Sequence, residues 1–268
     1  MTQAPEPVLL DVSPEGVAVL MLNRPAHSNA LDELLADALL DALETLKGAD
    51  HVRILFVRGA GDDFCVGADR EMLGRWGDRT QDEIEADLLP LARALKALHD
   101  LPIFTVALVQ GVARGGGAAL VAACDWAAAR SDARFQFGEI RLGLIPAVAA
   151  PYVIEAIGVR AARGLFASAE PFTAQRAYDL GLVQEIVEGE AGLEGALKRL
   201  AGRALENAPG AVEGAKQVVR DFAGKQIDER LAKDGAKRLA ERRLSDEGRE
   251  GVAALREKRP PNWDAGQR

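Results

Sequence analysis

Residues 109–126 read VQGVARGGGAALVAACDW and give the strongest indication of the fold. An apolar run at residues 103–109 leads into it and predicts a buried strand. A glycine loop follows, and the small residues at 118–123 predict a helix that packs closely against a neighbour. Residues 52–69 repeat the order of apolar strand and glycine-rich loop. Alternating strands, loops and helices predict an α/β fold with mainly parallel strands.

Composition limits the class of protein. The chain has 268 residues, of which 48% are apolar and 28% charged, a balance that excludes wholesale disorder. Its net charge is −8, which argues against general binding of nucleic acid. Its two cysteines cannot form a disulfide framework, and no apolar run approaches the roughly 20 residues of a membrane span. The acidic, proline-containing residues 1–10 do not resemble a secretory signal, so we expect a soluble cytoplasmic protein that does not associate with membranes.

Two glycine loops are candidates for chemistry. Gly115, Gly116 and Gly117 stand between a strand and a helix, where free N–H groups at the positive end of a helix dipole suit a phosphate or an oxyanion. The alternative is a close contact between helix and strand. Neither the GxxxxGK[ST] nor the GxGxxG pattern occurs here. The loop at residues 59–69, with three glycines, is either a plain connection or a place of close approach.

Glu139 lies among apolar residues after a short strand predicted at 135–137. Desolvation there would raise the pKa of its carboxyl and make it a better proton shuttle, although surface glutamates are more common. The sequence predicts no metal site and no covalent nucleophile, because its histidines lack metal-ligand spacing and Cys65 has no sequence neighbour that would lower its pKa.

Four segments resemble one family in order and spacing: LNRPAHSNALD at 22–32, GAGDDFCVGAD at 59–69, residues 109–126, and FGEIRLGLIP at 137–146. From about residue 8 to its C-terminus the chain resembles the enoyl-CoA hydratase/isomerase (crotonase) family. The resemblance implies a spiral of ββα units over residues 1–195 and a helical region for trimerisation over 196–268. It also implies an acyl-CoA thioester substrate, no cofactor beyond that CoA, and a homotrimer or homohexamer.

The resemblance also assigns roles. It implies that the N–H groups of Ala68 and Gly116 form an oxyanion hole and that Glu139 is the catalytic acid/base. It implies substrate contacts from His27, Ala30, Val66, Gly67, Asp69, Arg114, Gly115, Leu144 and Lys258. For Lys258, which corresponds to a lysine that reaches the CoA phosphates of a neighbouring subunit, the alternative is a solvated charge in the tail.

One departure from the family pattern affects the mechanism. Hydratases with two glutamates carry the second one at a position that is Ala119 here. The resemblance therefore favours hydration of a 2-enoyl-CoA, branched or methylglutaconyl-like, by one glutamate. The alternatives are a 3-enoyl to 2-enoyl-CoA isomerase, a CoA-ester lyase or decarboxylase, and an acyl-CoA binder without catalysis. Arg114 is a candidate partner for a second carboxylate on the acyl group, the alternative being contact with solvent or another subunit.

Overall fold

A hairpin opens the part of the chain that the computed structural model describes, residues 6–263. Residues 1–5 and 264–268 lie outside the described part. The start of the predicted 1–195 region, the end of the predicted 196–268 region and half of the 1–10 segment compared with a secretory signal therefore lie outside it as well. Strands β1 (Val8–Val12) and β2 (Val17–Leu22) pair antiparallel, and the turn between them occupies a Pro-Glu-Gly sequence, whose residue types favour turns. Gly16 has φ +91°, a conformation that favours glycine.

Parallel strands then build the main sheet onto β2. Its remaining strands are β3 (Ile54–Gly59), β4 (Phe104–Val109), β6 (Trp126–Arg130) and β9 (Glu185–Val187), and the order in the described chain is β1-β2-β3-β4-β6-β9. A smaller sheet has the order β5-β7-β8, with β5 (Val112–Arg114), β7 (Arg134–Gln136) and β8 (Phe172–Thr173). The predicted α/β class with mainly parallel strands is confirmed.

Helices cover both faces of the main sheet. They are α1 (Glu33–Lys47), α2 (Arg70–Arg75), α3 (Gln81–Asp100), α4 (Gly116–Ala123), α5 (Ala150–Ser168), α6 (Ala174–Leu180), α7 (Gly189–Leu205), α8 (Pro209–Phe222), α9 (Glu229–Leu244) and α10 (Asp246–Glu257). The central strands are buried on both sides, because Leu55 and Val57 join the core under α1 and α3, whereas Ile54 and Phe56 join the core under α7.

The helical C-terminal region begins inside the packed core. Helix α7 lies on the sheet through Leu193, Ala196, Leu200, Ala201 and Ala204, so the predicted division at residues 195 and 196 falls within this helix. Helix α8 begins at Pro209 and Gly224 separates it from α9, and within residues 6–263 neither helix has a buried residue. The division into 1–195 and 196–268 therefore stays a prediction.

Helix length and hydropathy also bear on the membrane question. Across residues 6–263 no helix combines the length and the apolar character that a membrane span requires. The longest helix, α3, carries a Pro and several charges.

Candidate active site

A cleft of about 560 Å³ opens where the two glycine loops meet the segment after β7. Its lining comprises Val66, Gly67, Ala68, Arg70, Leu73, Arg114, Gly115, Gly116, Gln136, Gly138, Glu139, Arg141 and Leu142. Three sequence segments that are far apart in the chain thus converge on one space. Seven of the residues assigned by resemblance are in this lining, among them all three assigned to catalysis.

The first wall of the cleft is a short extended segment around Ala68. The N–H of Leu31 donates to the carbonyl of Gly67 at 2.8 Å, and the N–H of Asp69 donates to the carbonyl of Leu31 at 2.8 Å. Because successive N–H groups in an extended segment point to opposite sides, the N–H of Ala68 faces away from Leu31. Within residues 6–263 it donates to no protein group.

The second wall is the start of α4. The N–H of Gly115 donates to the carbonyl of Gln136 at 2.9 Å, which ties the helix start to β7. Gly116 is the first residue of α4, where N–H groups have no partner inside the helix, and in the described chain its N–H has no other acceptor. A Cβ on Gly67 would lie 2.7 Å from the carbonyl oxygen of Arg114, so the two walls touch along their backbones.

Glu139 reaches the cleft from the turn of 3₁₀ helix Glu139–Leu142, and its Oε1 lies 3.1 Å from where a Cβ on Gly115 would stand. Gly143 closes that turn with φ +73°. Of the atoms in residues 6–263, none forms a hydrogen bond with the buried Oε2 of Glu139. Its burial raises the pKa of the Glu139 carboxyl, while its own N–H and the charge of Arg114 act in the opposite direction. The cleft therefore holds a partly desolvated carboxyl with an oxygen free to exchange a proton.

The raised pKa of Glu139 predicts a pH-dependent stability. A carboxyl whose pKa is higher in the folded than in the unfolded chain destabilises the fold as pH rises above its unfolded value near 4.5. We expect Glu139→Gln to remove this cost, so the variant's free energy of unfolding relative to the unmodified protein should be higher at pH 8 than at pH 4. Urea denaturation at both pH values measures this difference. An equal difference at the two values would contradict the prediction.

Two buried amides that the sequence analysis missed hold the first glycine loop in place. Asn29 is 0% exposed, and its Nδ2 donates to the carbonyls of Ala60 and Asp63, each at 2.9 Å, and of Phe64 at 3.1 Å. Gln110 donates to the carbonyl of Gly59 at 2.7 Å. A polar residue between an apolar run and a glycine loop is the signal that could have identified Gln110, whereas Asn29 lies in a segment that is already polar.

The contacts of Asn29 predict a large loss of stability on truncation. Asn29→Ala removes its donors to three loop carbonyls and its acceptor for the N–H of Arg24, and it places alanine at φ +55°. We expect the free energy of unfolding to fall by about 3 kcal/mol. Chemical denaturation measures it, with the exposed Asn207→Ala as the matched control. A loss no larger than that of the control would show that the loop does not depend on this amide.

Five predicted substrate-binding residues do not line the cleft: His27, Ala30, Asp69, Leu144 and Lys258. His27 is exposed, Lys258 is the C-cap of α10, and the carbonyl of Ala30 accepts from Arg24. The Asp69 carboxylate caps α2 by accepting from the N–H of Glu71 at 2.8 Å, and it pairs with Arg24 at 3.2 Å. These contacts account for the conformation around the site, and the substrate contacts of the five residues stay predictions.

Among residues 6–263, neither the thiol of Cys65 nor a cluster of metal ligands forms a second catalytic centre. Burial raises the pKa of the Cys65 thiol to about 12, so it is a thiol rather than a thiolate near neutral pH. Between residues 6 and 263, no three His, Cys, Asp or Glu side chains converge as metal ligands. Position 119, next to the cleft wall, holds a fully buried alanine. Glu139 is therefore the one carboxylate among the described residues that line the cleft.

Comparison with known proteins identifies the family. The family model for enoyl-CoA hydratase/isomerase matches residues 13–266. The 2,3-dehydroadipyl-CoA hydratase of Escherichia coli is 31% identical over 92% of this chain and 94% of its own length. The mitochondrial methylglutaconyl-CoA hydratase of Mus musculus is 31% identical over 95% of this chain and 81% of its own. A solved enoyl-CoA hydratase from Shewanella pealeana has a TM-score of 0.91 at 34% identity, covering 96% of both chains, so the predicted crotonase-like fold is confirmed. The chain belongs to the enoyl-CoA hydratase/isomerase family.

Proposed function

We propose that this protein adds water across the double bond of a 2-enoyl-CoA thioester, with Glu139 as its one catalytic carboxyl. The observation that carries the proposal is the convergence of that desolvated carboxyl with the N–H groups of Ala68 and Gly116, which donate to no group within residues 6–263. Addition next to a thioester carbonyl passes through an enolate, and aimed N–H donors stabilise its oxygen by roughly 3 kcal/mol each. The chain therefore supplies both an oxyanion site and a proton shuttle.

One carboxylate can serve both proton transfers. The thioester oxygen accepts hydrogen bonds from the N–H groups of Ala68 and Gly116. The carboxylate of Glu139 takes a proton from a water molecule while the oxygen of that water forms a bond to C3. The electrons of the double bond move toward the thioester, whose oxygen then carries the negative charge of an enolate. Glu139 then returns that proton to C2, the carbonyl re-forms, and the carboxylate is ready for another cycle. No net proton is gained or lost by the protein.

A second candidate is the isomerisation of a 3-enoyl to a 2-enoyl-CoA. It is favoured by the alanine at position 119, because a lone carboxylate can remove a proton from C2 and return it at C4 without holding a water molecule. Hydration is favoured because the similar proteins from Escherichia coli and Mus musculus are both named hydratases. Both act by name on CoA thioesters of dicarboxylic acids. A CoA-ester lyase or decarboxylase would use the same oxyanion site.

Product analysis tests the proposal. The protein is incubated separately with straight-chain 2-enoyl-CoA, 3-enoyl-CoA and methylglutaconyl-CoA, and the products are measured by mass spectrometry and proton NMR. We expect a gain of one water on a 2-enoyl substrate. A moved double bond at unchanged mass, without hydration of any 2-enoyl substrate, would assign an isomerase instead. Bound but unchanged thioesters would overturn hydration and leave a lyase, a decarboxylase or a binder.

The same proposal includes a homotrimer or homohexamer. Its support is the lack of buried side chains in α8 and α9, together with exposed apolar residues such as Val219 at 63% and Leu239 at 73%. Such faces suit burial against a second copy of the chain. Lys258 would then reach the CoA phosphates bound by a neighbour. Light scattering should give three or six times the 28.6 kDa of one chain, and a monomer in solution would contradict the assembly.

A further inference from the structure

The charge of the cleft is opposite to that of the protein. Three of the side chains that line it are arginines, Arg70, Arg114 and Arg141, against the single carboxylate of Glu139. The chain as a whole carries −8. In the described part of the chain none of these three guanidinium groups forms an ion pair. The cleft therefore presents uncompensated positive charge to its ligand.

Two of these arginines are held by neutral backbone carbonyls that leave other donors free. Nε of Arg114 donates to the carbonyl of Val66 at 3.0 Å, so both of its terminal nitrogens are available. Nη2 of Arg141 donates to the carbonyl of Ala169 at 3.0 Å, and the same carbonyl accepts from Nε2 of Gln136 at 2.8 Å. The two guanidiniums come from different elements, the end of β5 and the 3₁₀ helix that carries Glu139. Each is positioned without being neutralised.

An uncharged acyl chain would offer the guanidinium groups of Arg114 and Arg141 no hydrogen-bond acceptor. Burying a guanidinium against hydrocarbon removes its water without supplying a hydrogen-bond acceptor, which costs free energy. A carboxylate accepts charge-assisted hydrogen bonds from guanidinium, often two at once. The apolar side chains of Val66, Leu73 and Leu142 in the same lining provide contacts for the carbon chain between the thioester and such an anion.

We propose that the acyl group of the substrate carries a carboxylate at its far end, and that Arg114 and Arg141 bind this carboxylate. The proposal rests on the proposed function only in taking an acyl-CoA thioester as the ligand. Arg114 and Arg141 are specificity determinants in this arrangement, since they select the acyl group, whereas Ala68, Gly116 and Glu139 act at the thioester and its double bond. The phosphates of CoA are the other possible source of an anion for these guanidiniums, so the test must separate the two ends of the ligand.

Two matched pairs of thioesters separate these sources. Glutaconyl-CoA and trans-2-pentenoyl-CoA have the same CoA and the same chain length and differ in the terminal carboxylate. Glutaryl-CoA and valeryl-CoA are the saturated pair, which binds without reacting. We expect the unmodified protein to favour the carboxylate member of each pair by at least 10-fold, in kcat/KM for the first and in calorimetric Kd for the second. Arg114→Gln and Arg141→Gln should each reduce that preference by about 10- to 100-fold.

Arg163→Gln is the control, because Arg163 is an exposed residue of α5 outside the cleft lining. It should leave both preferences unchanged. Equal losses for both members of a pair in the Arg114 and Arg141 variants would assign these residues to CoA phosphate and overturn the proposal. An unmodified protein without preference would overturn it as well. If neither unsaturated thioester reacts, the proposed function fails, yet the saturated pair still decides the inference on the acyl carboxylate.

Discussion

Replacing Glu139 by glutamine should lower kcat by about 10³-fold, within the range for a lost general acid/base. The amide has nearly the same shape as the carboxyl but can neither take a proton from water nor return one to C2. Because Glu139 is the one carboxylate among the described residues lining the cleft, no neighbouring group is placed to take over. The loss is measured from initial rates at saturating and at limiting concentrations of the thioester that the unmodified protein hydrates.

The controls for Glu139→Gln separate chemistry from folding and binding. The exposed Glu170→Gln removes one negative charge outside the cleft lining and should keep full turnover. Affinity for a saturated acyl-CoA should change little in Glu139→Gln, since the CoA and the thioester oxygen keep their contacts. A pure acyl-CoA binder would show no turnover in any variant, and a Glu139→Gln protein with nearly full turnover would place the proton transfer on another group.

The pH dependence of kcat should follow the same carboxyl. The proposed hydration begins with Glu139 ionised, and burial raises the pKa of this group above the ordinary value of 4.5. We therefore expect activity to fall on the acid side at a pH higher than an exposed glutamate would give. The low remaining activity of Glu139→Gln should not show this fall on the acid side.

The sequence predicted the elements of this fold because its local signals agree with the final packing. The Pro-Glu-Gly turn before β2, the Thr173 N-cap of α6 and the break at Gly158 in α5 each use a residue type that favours that local conformation. These features depend on neighbours within a few residues, so a single sequence contains the information. The catalytic role of Glu139 was predictable only from the family motif, since its desolvation depends on segments far away in the chain.

The rest of the site was not predictable from local pattern. The N–H groups of Ala68 and Gly116 have no acceptor among residues 6–263 because of the pairing with Leu31 and the position of Gly116 in the first turn of α4. Both causes depend on tertiary geometry. The role of Asn29 likewise depends on carbonyls about 30 residues away. Asp69 illustrates how two roles overlap, because its motif position predicts substrate contact and its carboxylate also caps α2 and pairs with Arg24. Side chains that support a loop and side chains that touch a ligand share the same motif.

Gly67→Ala should damage both stability and activity, because Gly67 is where the two walls of the cleft touch. Its φ is +87°, and an added Cβ would lie 2.7 Å from the backbone carbonyl oxygen of Arg114. A backbone atom cannot move aside as a flexible side chain can, so the 67–69 segment or the start of α4 must shift. We expect a fall of about 3 kcal/mol in the free energy of unfolding, from overpacking together with backbone strain.

The activity of Gly67→Ala distinguishes a strained loop from a displaced oxyanion site. The N–H of Ala68 is the next donor along the chain, and a displacement of about 1 Å at such a site can cost 10²-fold in rate. We therefore expect kcat of the folded fraction to fall by about 10²-fold. Gly189→Ala is the matched control, because Gly189 also has positive φ, +61°, but a Cβ there meets no atom within 4 Å. That control should lose only about 1 kcal/mol and keep its activity. If Gly67→Ala folds with full kcat, the Ala68 N–H does not need its observed position, and the oxyanion site proposed between the two walls is wrong.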